Sequence, residues 1–252
     1  MTDVGTTGRP VVRMPAELAA GPSVRVEQVP GIGFRQMSVV GDLTTDEAPA
    51  LRQILSTVLT LYPRVVLDCA RLRIPKSVLL SVFCTAHERA GGWPLSRLAL
   101  YGLDEGSARW YRDAGLADRV PYRAGMAEAV AALDERPAVL RRGRLLLPPT
   151  LVPDARETVE GCWSDWSLPG DVAIRAALVA AELGLGAVEA GSVRARLAVE
   201  WRPGAVGLAL TERLPAAGPV GPLTAVALDE LAESWSSHPH QYGRRTIATI
   251  PL

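Results

Sequence analysis

The sequence has no excess charge of either sign. Its 27 basic and 27 acidic residues balance, which removes the electrostatic reason to expect a nucleic acid or a membrane surface as a partner. Lysine is almost absent, because Lys76 is the only one and arginine supplies the other positive charges. That bias is typical of proteins from GC-rich bacterial genomes.

Long apolar runs and a leader segment are also missing. No run approaches the roughly 20 residues that a membrane-spanning helix needs, and residues 1–22 lack the apolar core of a signal peptide. Cys69, Cys84 and Cys162 stand alone in apolar segments, which favours small buried thiols over metal ligands or redox pairs. We therefore expect a cytoplasmic protein.

Motifs of the common enzyme classes are absent as well. The chain has no Gly-x-Ser-x-Gly elbow, no Walker loop and no His/Cys cluster with metal-ligand spacing. His238 and His240 flank Pro239, and we expect them in a surface turn. The sequence thus predicts no catalytic residue and no metal ligand.

The chain length and a helix-breaking segment near residue 137 predict two domains. A chain of 252 residues usually divides into two compact units. Arg136-Pro137 ends one helix, and Arg141-Arg142-Gly143 leads into a new strand. The predicted parts are a flexible segment at 1–22, a first domain at 23–137, a linker at 138–143 and a second domain at 144–252.

The first domain has the pattern of an α/β fold. An apolar helical face at Leu51, Leu55 and Val58 lies between short strand-like segments, and a further helix is expected from Met126 to Leu133. The predicted strands are 24–27, 35–40, 64–68 and 97–102.

The loop after the third of these strands reads Asp68-Cys69-Ala70-Arg71-Leu72-Arg73-Ile74-Pro75-Lys76-Ser77-Val78-Leu79-Leu80. With the order of elements from Ser23 to about Pro137, it resembles the STAS domain of anti-sigma-factor antagonists. That family carries Asp-Ser-Ser/Thr-Gly here, and its Ser/Thr accepts a phosphate. The resemblance places Lys76, Ser77, Val78 and Leu79 at those four positions, and a valine has no hydroxyl to phosphorylate.

The same resemblance implies a protein-binding surface and a STAS-like mixed sheet with helices. The candidate contact residues are Asp42, Thr44, Asp46, Pro75, Lys76, Ser77, Val78 and Leu79. We expect Ser77 to cap the following helix, with phosphorylation of its hydroxyl as the alternative. Lys76 is expected to pair with Asp42 or Asp46, to recruit an acidic partner, or to remain solvated. Leu79 and Leu80 have the alternative of folding inward.

The second domain shows a different order of elements. A helix begins near Pro153-Asp154 and a long helix follows at 169–190, before strands at 194–201 and 207–211, a helix at 223–235 and a strand at 244–250. This order resembles the ATP-binding domain of the anti-sigma-factor serine kinases, in the histidine-kinase-like ATPase superfamily. It implies a second, two-layer α/β sandwich.

The nucleotide motifs of that superfamily are degenerate here. Glu182 remains, but Gly186 replaces the asparagine that holds Mg²⁺. Glu212 replaces the aspartate that binds adenine, and Gly221-Pro222-Leu223 is all that is left of the glycine motif that cradles phosphate. The resemblance therefore implies vestigial positions, no ATP cofactor and no kinase activity.

The sequence predicts a non-catalytic bacterial regulator of partner-switch type. Its expected partner is a sigma factor, an anti-sigma factor or another transcriptional regulator. The first alternative is an atypical nucleotide-dependent serine kinase that acts on a separate antagonist. The second alternative is a homodimeric scaffold.

Overall fold

The computed structural model describes residues 17–19, 24–29, 33–214, 218–241 and 243–252. Within these ranges the chain forms two sheets, each with its own helices and apolar core. The first sheet is mixed with a parallel part, and the second is antiparallel, so the predicted α/β class is confirmed. None of the described helices is both long enough and apolar enough to span a membrane.

The first sheet has six strands among the described residues. They lie side by side in chain order, as β1 (Glu17–Ala19), β2 (Val24–Val29), β3 (Arg35–Asp42), β4 (Arg64–Arg73), β5 (Arg97–Tyr101) and β6 (Tyr122–Arg123). The two pairings from β1 to β3 are antiparallel, and those from β3 to β6 are parallel. Strand β1 falls in the segment predicted as flexible, and the remainder of residues 1–22 lies outside the described residues.

Helices pack on both faces of this sheet. Buried side chains of α1 (Ala48–Leu61), α2 (Ser81–Arg89) and α3 (Glu105–Asp113) share one core with Val65 and Leu67 of β4. Val66, between those two, packs against α4 (Met126–Ala132) on the other face. A strand buried on both faces has a continuous apolar run rather than an alternating one.

Strand β4 continues well beyond the residue where the sequence predicts its end. The prediction ended the strand at Asp68, but its parallel pairing with β3 resumes after an irregularity and reaches Arg73, opposite Asp42. The predicted loop after Asp68 is therefore strand over its first half. The following helix begins with a 3₁₀ turn at Ser77–Leu80, and α2 starts at Ser81.

The second sheet has five antiparallel strands among the described residues. Their spatial order is β10 (Ser234–His240), β11 (Gly243–Pro251), β9 (Ala205–Arg213), β8 (Arg194–Arg202) and β7 (Leu140–Leu146). Helices α5 (Leu151–Trp166) and α6 (Gly170–Glu189) share one core with one face of the sheet, and α7 (Pro222–Leu231) packs against α6.

Two details of the second unit differ from the prediction. Strand β7 begins at Leu140, inside the segment predicted as a linker at 138–143. The helix predicted to run to Trp235 ends at Leu231, and Trp235 lies in strand β10. His238 and His240 are exposed on that strand rather than in a turn, because residues 234–240 pair with β11 along their whole length.

The two units meet through polar contacts as well as packing. Arg142 of β7 donates from Nε to the Gly91 carbonyl at 2.9 Å, and Trp166 of α5 donates from Nε1 to the Trp93 carbonyl at 2.9 Å. Glu88, at the end of α2, reaches arginines in both units. These contacts fix the second sheet against the end of α2.

Candidate functional site

The loop between β4 and α2 presents an apolar side chain to solvent. Pro75 and Lys76 are exposed, and 61% of Val78 is accessible. Leu80 is fully buried, whereas Leu79 is partly buried and packs against the core. The inward alternative is therefore correct for Leu80 and in part for Leu79, while Val78 points outward.

Ser77 does not cap the helix, so that prediction is wrong. The α-helix starts four positions later at Ser81, whose Oγ donates to the Val78 carbonyl of the preceding 3₁₀ turn at 2.8 Å. Among the described residues the Ser77 hydroxyl makes no hydrogen bond. This side chain is half-buried beside Val78, and its oxygen is not engaged by the helix start.

The neighbouring loop lies beside this one because β3 and β4 are parallel and end together. Asp42 and Arg73 are partners in the strand register, and Arg73 Nε lies 2.7 Å from Asp42 Oδ1. The expected pairing of Lys76 with Asp42 is therefore replaced by this exposed ion pair. Thr44 donates from its hydroxyl to Glu47 at 3.1 Å, and Asp46 is exposed.

The eight candidate contact residues thus lie at the carboxyl edge of the parallel strands. Lys76 has no ion-pair partner among the described residues, which leaves the solvated and partner-recruiting alternatives open. The surface offers an unpaired cation, an exposed valine and a free hydroxyl within three consecutive positions.

Of the four positions predicted to be vestigial nucleotide positions, Gly186 lies buried where α6 meets α7. A Cβ atom built there would lie 2.7 Å from Thr224 Oγ1 and 3.2 Å from its Cγ2. Thr224 is itself buried, and its short branched side chain has few other rotamers. The packing of α7 therefore occupies the space that a side chain at position 186 would need. Glu182 lies one turn earlier on α6 and is half-buried.

Glu212 is engaged by a cation that the sequence analysis missed. Arg244 of β11 donates to both of its carboxylate oxygens, from Nε at 2.7 Å and from Nη2 at 2.9 Å. Both side chains are almost completely buried. A bidentate guanidinium engages both carboxylate oxygens, so the ion pair with Arg244 competes with any other donor for Glu212.

Arg244 also closes the segment before α7. Its Nη1 donates to the carbonyl of Pro219 at 2.5 Å. Gly221 is the N-cap of α7, and a Cβ built there would lie 3.7 Å from Glu189 Oε2. A carboxylate at this helix start repels the negative charge of a phosphate.

The alternation of core-facing and outward-facing residues in β11 is a sequence pattern that could have identified Arg244 as buried. Arg244, Thr246, Ala248 and Ile250 are buried at every second position, so the period-2 pattern places Arg244 on the core face. A buried arginine needs an acidic partner, and Glu212 is its cross-strand neighbour.

The three cysteines are buried, as the sequence predicts. Burial raises the pKa of the Cys162 thiol to about 12, and it raises the pKa of Cys69 and Cys84 as well. These thiols are protonated at neutral pH and are poor nucleophiles. The described residues contain no group of three His, Cys, Asp or Glu side chains that could hold a metal ion.

Comparisons with known proteins give partial similarity to solved structures. No protein-family model matches the chain, and no curated protein is significantly similar to it. A solved structure of an anti-sigma factor antagonist from Mycobacterium paratuberculosis is 21% identical, with a TM-score of 0.39. The match covers 46% of this chain and 100% of the antagonist.

Proposed function

We propose that this chain is a non-catalytic, protein-binding regulator of partner-switch type. Its first domain would bind a sigma factor, an anti-sigma factor or a related transcriptional regulator through the loop Pro75–Leu79 and the adjoining Asp42–Asp46. The observation that carries the proposal is Val78, an apolar residue with 61% exposure at the position where the resemblance expects a phosphorylated hydroxyl.

The chemistry of that position supports a constant binding state. A phosphate adds a charge near −2 and disrupts an apolar interface by desolvation and repulsion, and valine cannot receive one. An exposed valine beside polar neighbours also offers apolar surface that a partner can bury, and the burial of apolar surface favours association. We therefore propose that the loop stays competent for binding.

The packing of the second domain supports the absence of kinase activity. Thr224 fills the space at Gly186, and Arg244 saturates Glu212. Phosphoryl transfer requires metal coordination and fixed positioning of the nucleotide, and these residues would oppose both. The serine kinase alternative would need α7 to move away from α6.

The homodimeric scaffold is the second candidate, and α6 favours it. Ile174, Leu178, Leu185 and Val188 are large apolar side chains that are 43–66% exposed. With Ala181 they follow spacings of four and three residues, the period of a coiled-coil seam. Leu223 on α7 is 75% exposed as well. Such a face suits association with another helix.

One experiment separates these interfaces. The Lys76→Asp, Val78→Ser double variant restores the loop chemistry that the resemblance expects. Leu223→Ser removes the large apolar side chain with the highest exposure among the described residues of the second domain. Each protein, with its fold checked by circular dichroism, is used to capture partners from the source organism's lysate, and captured proteins are quantified by mass spectrometry.

We expect the double variant to lose at least about tenfold in capture, because it removes an apolar anchor and reverses a charge. Leu223→Ser should capture the same protein at the level of the parent chain. The reverse pattern would contradict the loop proposal. A dimer by light scattering that Leu223→Ser dissociates would support the scaffold instead.

A further inference from the structure

The second sheet has a face that turns away from α5 and α6. Side chains alternate along each strand, so Leu197 and Val199 enter the core while Arg196 and Ala198 point to the opposite side. In β11, Arg244 is buried and Arg245 is exposed on that opposite side. We call this side the open face.

The strand register places two cations and a hydroxyl in one row of the open face. Arg196 of β8 is paired with Thr211 of β9, and Thr211 is paired with Arg245 of β11. Adjacent strands lie about 4.8 Å apart, so the two guanidinium groups flank the threonine. This spacing suits an anion held between two arginines.

The first unit completes a cavity over this row. Its volume is about 220 Å³, and it is lined by Arg119 from the first unit together with Arg141, Arg196 and Arg245. Glu88 is the only acidic residue among the described residues that line it. The cavity therefore exists only because α2 and the segment carrying Arg119 are held against the second sheet.

The charges in this cavity do not balance. Glu88 Oε1 lies 2.9 Å from Arg196, and its Oε2 lies 3.2 Å from Arg119 and 3.3 Å from Arg141. One carboxylate thus serves three guanidinium groups, of which Arg141 also lies 3.4 Å from Glu200, a carboxylate that pairs with Arg202 as well. Arg245 has no hydrogen-bond or ion-pair partner within the described ranges.

The surroundings add to the positive field. Burial lowers the pKa of Arg89, next to Glu88, and the charges of Arg52 and Arg196 lower it further. Neighbouring positive charges disfavour the charged form of a cation, and Glu88 opposes this effect on Arg89 in part. An anion would relieve that potential.

The floor of the cavity lets a ligand approach the sheet closely. Ala198 and Ala209 have only a methyl group, and Gly207 extends the floor into an adjoining cavity of about 230 Å³ that shares Arg141 and Arg245. Glu200 and Arg202 line that second part, where Arg202 pairs with Glu200. The groove is longer than a single phosphate and has its highest charge at the first cavity.

We propose that this groove binds a small phosphate-bearing anion at the junction of the two domains. Arg196 and Arg245 would donate charge-assisted hydrogen bonds to the phosphate oxygens, and Thr211 would donate its hydroxyl. Arginine is suited to this task because its planar guanidinium binds two oxygens at once. The site lies on the face of the sheet opposite Glu212 and Gly186, so it is independent of the vestigial nucleotide positions and of the loop at Val78.

Calorimetric titration of the full chain at low ionic strength tests the site. The probes are inorganic phosphate, inorganic pyrophosphate and glucose 6-phosphate, which distinguish a free phosphate from a longer phosphate chain and from a sugar phosphate. Arg245→Gln is the test variant because its exposed side chain has no partner in the fold. Arg109→Gln on α3 is the control, since that residue is also exposed and unpaired in the described structure and removes the same charge.

We expect saturable binding of at least one probe below about 1 mM, weakened about tenfold or more in Arg245→Gln and unchanged in Arg109→Gln. The bound probe should also raise the melting temperature of the parent chain but not of Arg245→Gln. An equal loss in both variants would show non-specific attraction and overturn the proposal. The absence of saturable binding for all three probes would overturn it as well.

Discussion

Replacing Glu88 by glutamine should destabilise the protein more than its single position suggests. The Glu88 side chain is only 6% exposed, and it contacts Arg119, Arg141 and Arg196 at 2.9–3.3 Å. Glutamine keeps the shape and removes the charge. Arg119 and Arg196 would then lie in a partly buried cluster without a counterion, and Arg141 would keep only its contact with Glu200 at 3.4 Å.

The magnitude follows from the burial of the four groups. Breaking a buried ion pair costs about 3–5 kcal/mol. The side chains of Arg119, Arg141 and Arg196 are 19%, 24% and 33% exposed. Water therefore solvates part of the positive charge that the loss of the carboxylate leaves unpaired. We therefore expect a decrease in the free energy of unfolding of about 3 kcal/mol, at the lower end of that range.

Urea unfolding, followed by tryptophan fluorescence and circular dichroism, measures this change. The matched control is Glu160→Gln, which breaks an exposed ion pair with Arg156 on α5 and should cost about 0.5 kcal/mol or less. Because Arg141 and Arg196 belong to the second unit, Glu88→Gln should also separate the two units into distinct unfolding transitions. A change below about 1 kcal/mol with a single transition would refute the argument that Glu88 holds the junction together.

Two further predictions concern the nucleotide positions and pH. In the Arg245→Gln background, Mg-ATP should give no saturable heat at about 1 mM, because Thr224 and Arg244 occupy the vestigial positions; a micromolar dissociation constant would revive the kinase alternative. His87 is buried and donates from Nε2 to the Ser96 carbonyl at 2.8 Å, and burial lowers its pKa from 6.5 to about 4. Below pH 6.5 the unfolded chain binds a proton that the folded chain does not, so acidification to pH 5 should lower the unfolding free energy by about 2 kcal/mol. Between pH 7.5 and pH 5 the urea midpoint should therefore decrease more in the parent chain than in His87→Gln. An equal decrease in the two proteins would contradict the prediction.

The sequence predicted those helices and strands that their own residues favour without help from the rest of the chain. The long helix α6 was expected at 169–190 and lies at Gly170–Glu189, because its alanine-rich composition and apolar spacing favour a helix by themselves. Strand β10 was not predicted: the helix was expected to run to Trp235, and His238 and His240 were expected in a turn, because Ser234–His240 has few residues with high β-propensity and contains Pro239. It is a strand because β11 supplies its partner groups.

The candidate loop was predicted in position but not in every contact. The resemblance placed Val78 correctly on the surface, yet the strand register determined the partner of Asp42, and a single sequence does not display register. Glu88 was missed for a similar reason, since it meets Arg196 across 108 residues of chain. The sequence signal for Glu88 was the polar triplet His87-Glu88-Arg89 at the end of a helix. That helix end contacts the second unit.

The contact between Gly186 and Thr224 has an evolutionary consequence. A chain that gained asparagine at position 186 alone would push α7 off α6, and one that shortened Glu212 alone would leave the buried Arg244 imperfectly paired. Each single step toward a nucleotide site therefore begins with a less stable protein. Under the function proposed above, selection would have to accept several such steps before a nucleotide could bind, so a descendant of this chain would change its binding surfaces more readily than it would gain a nucleotide site.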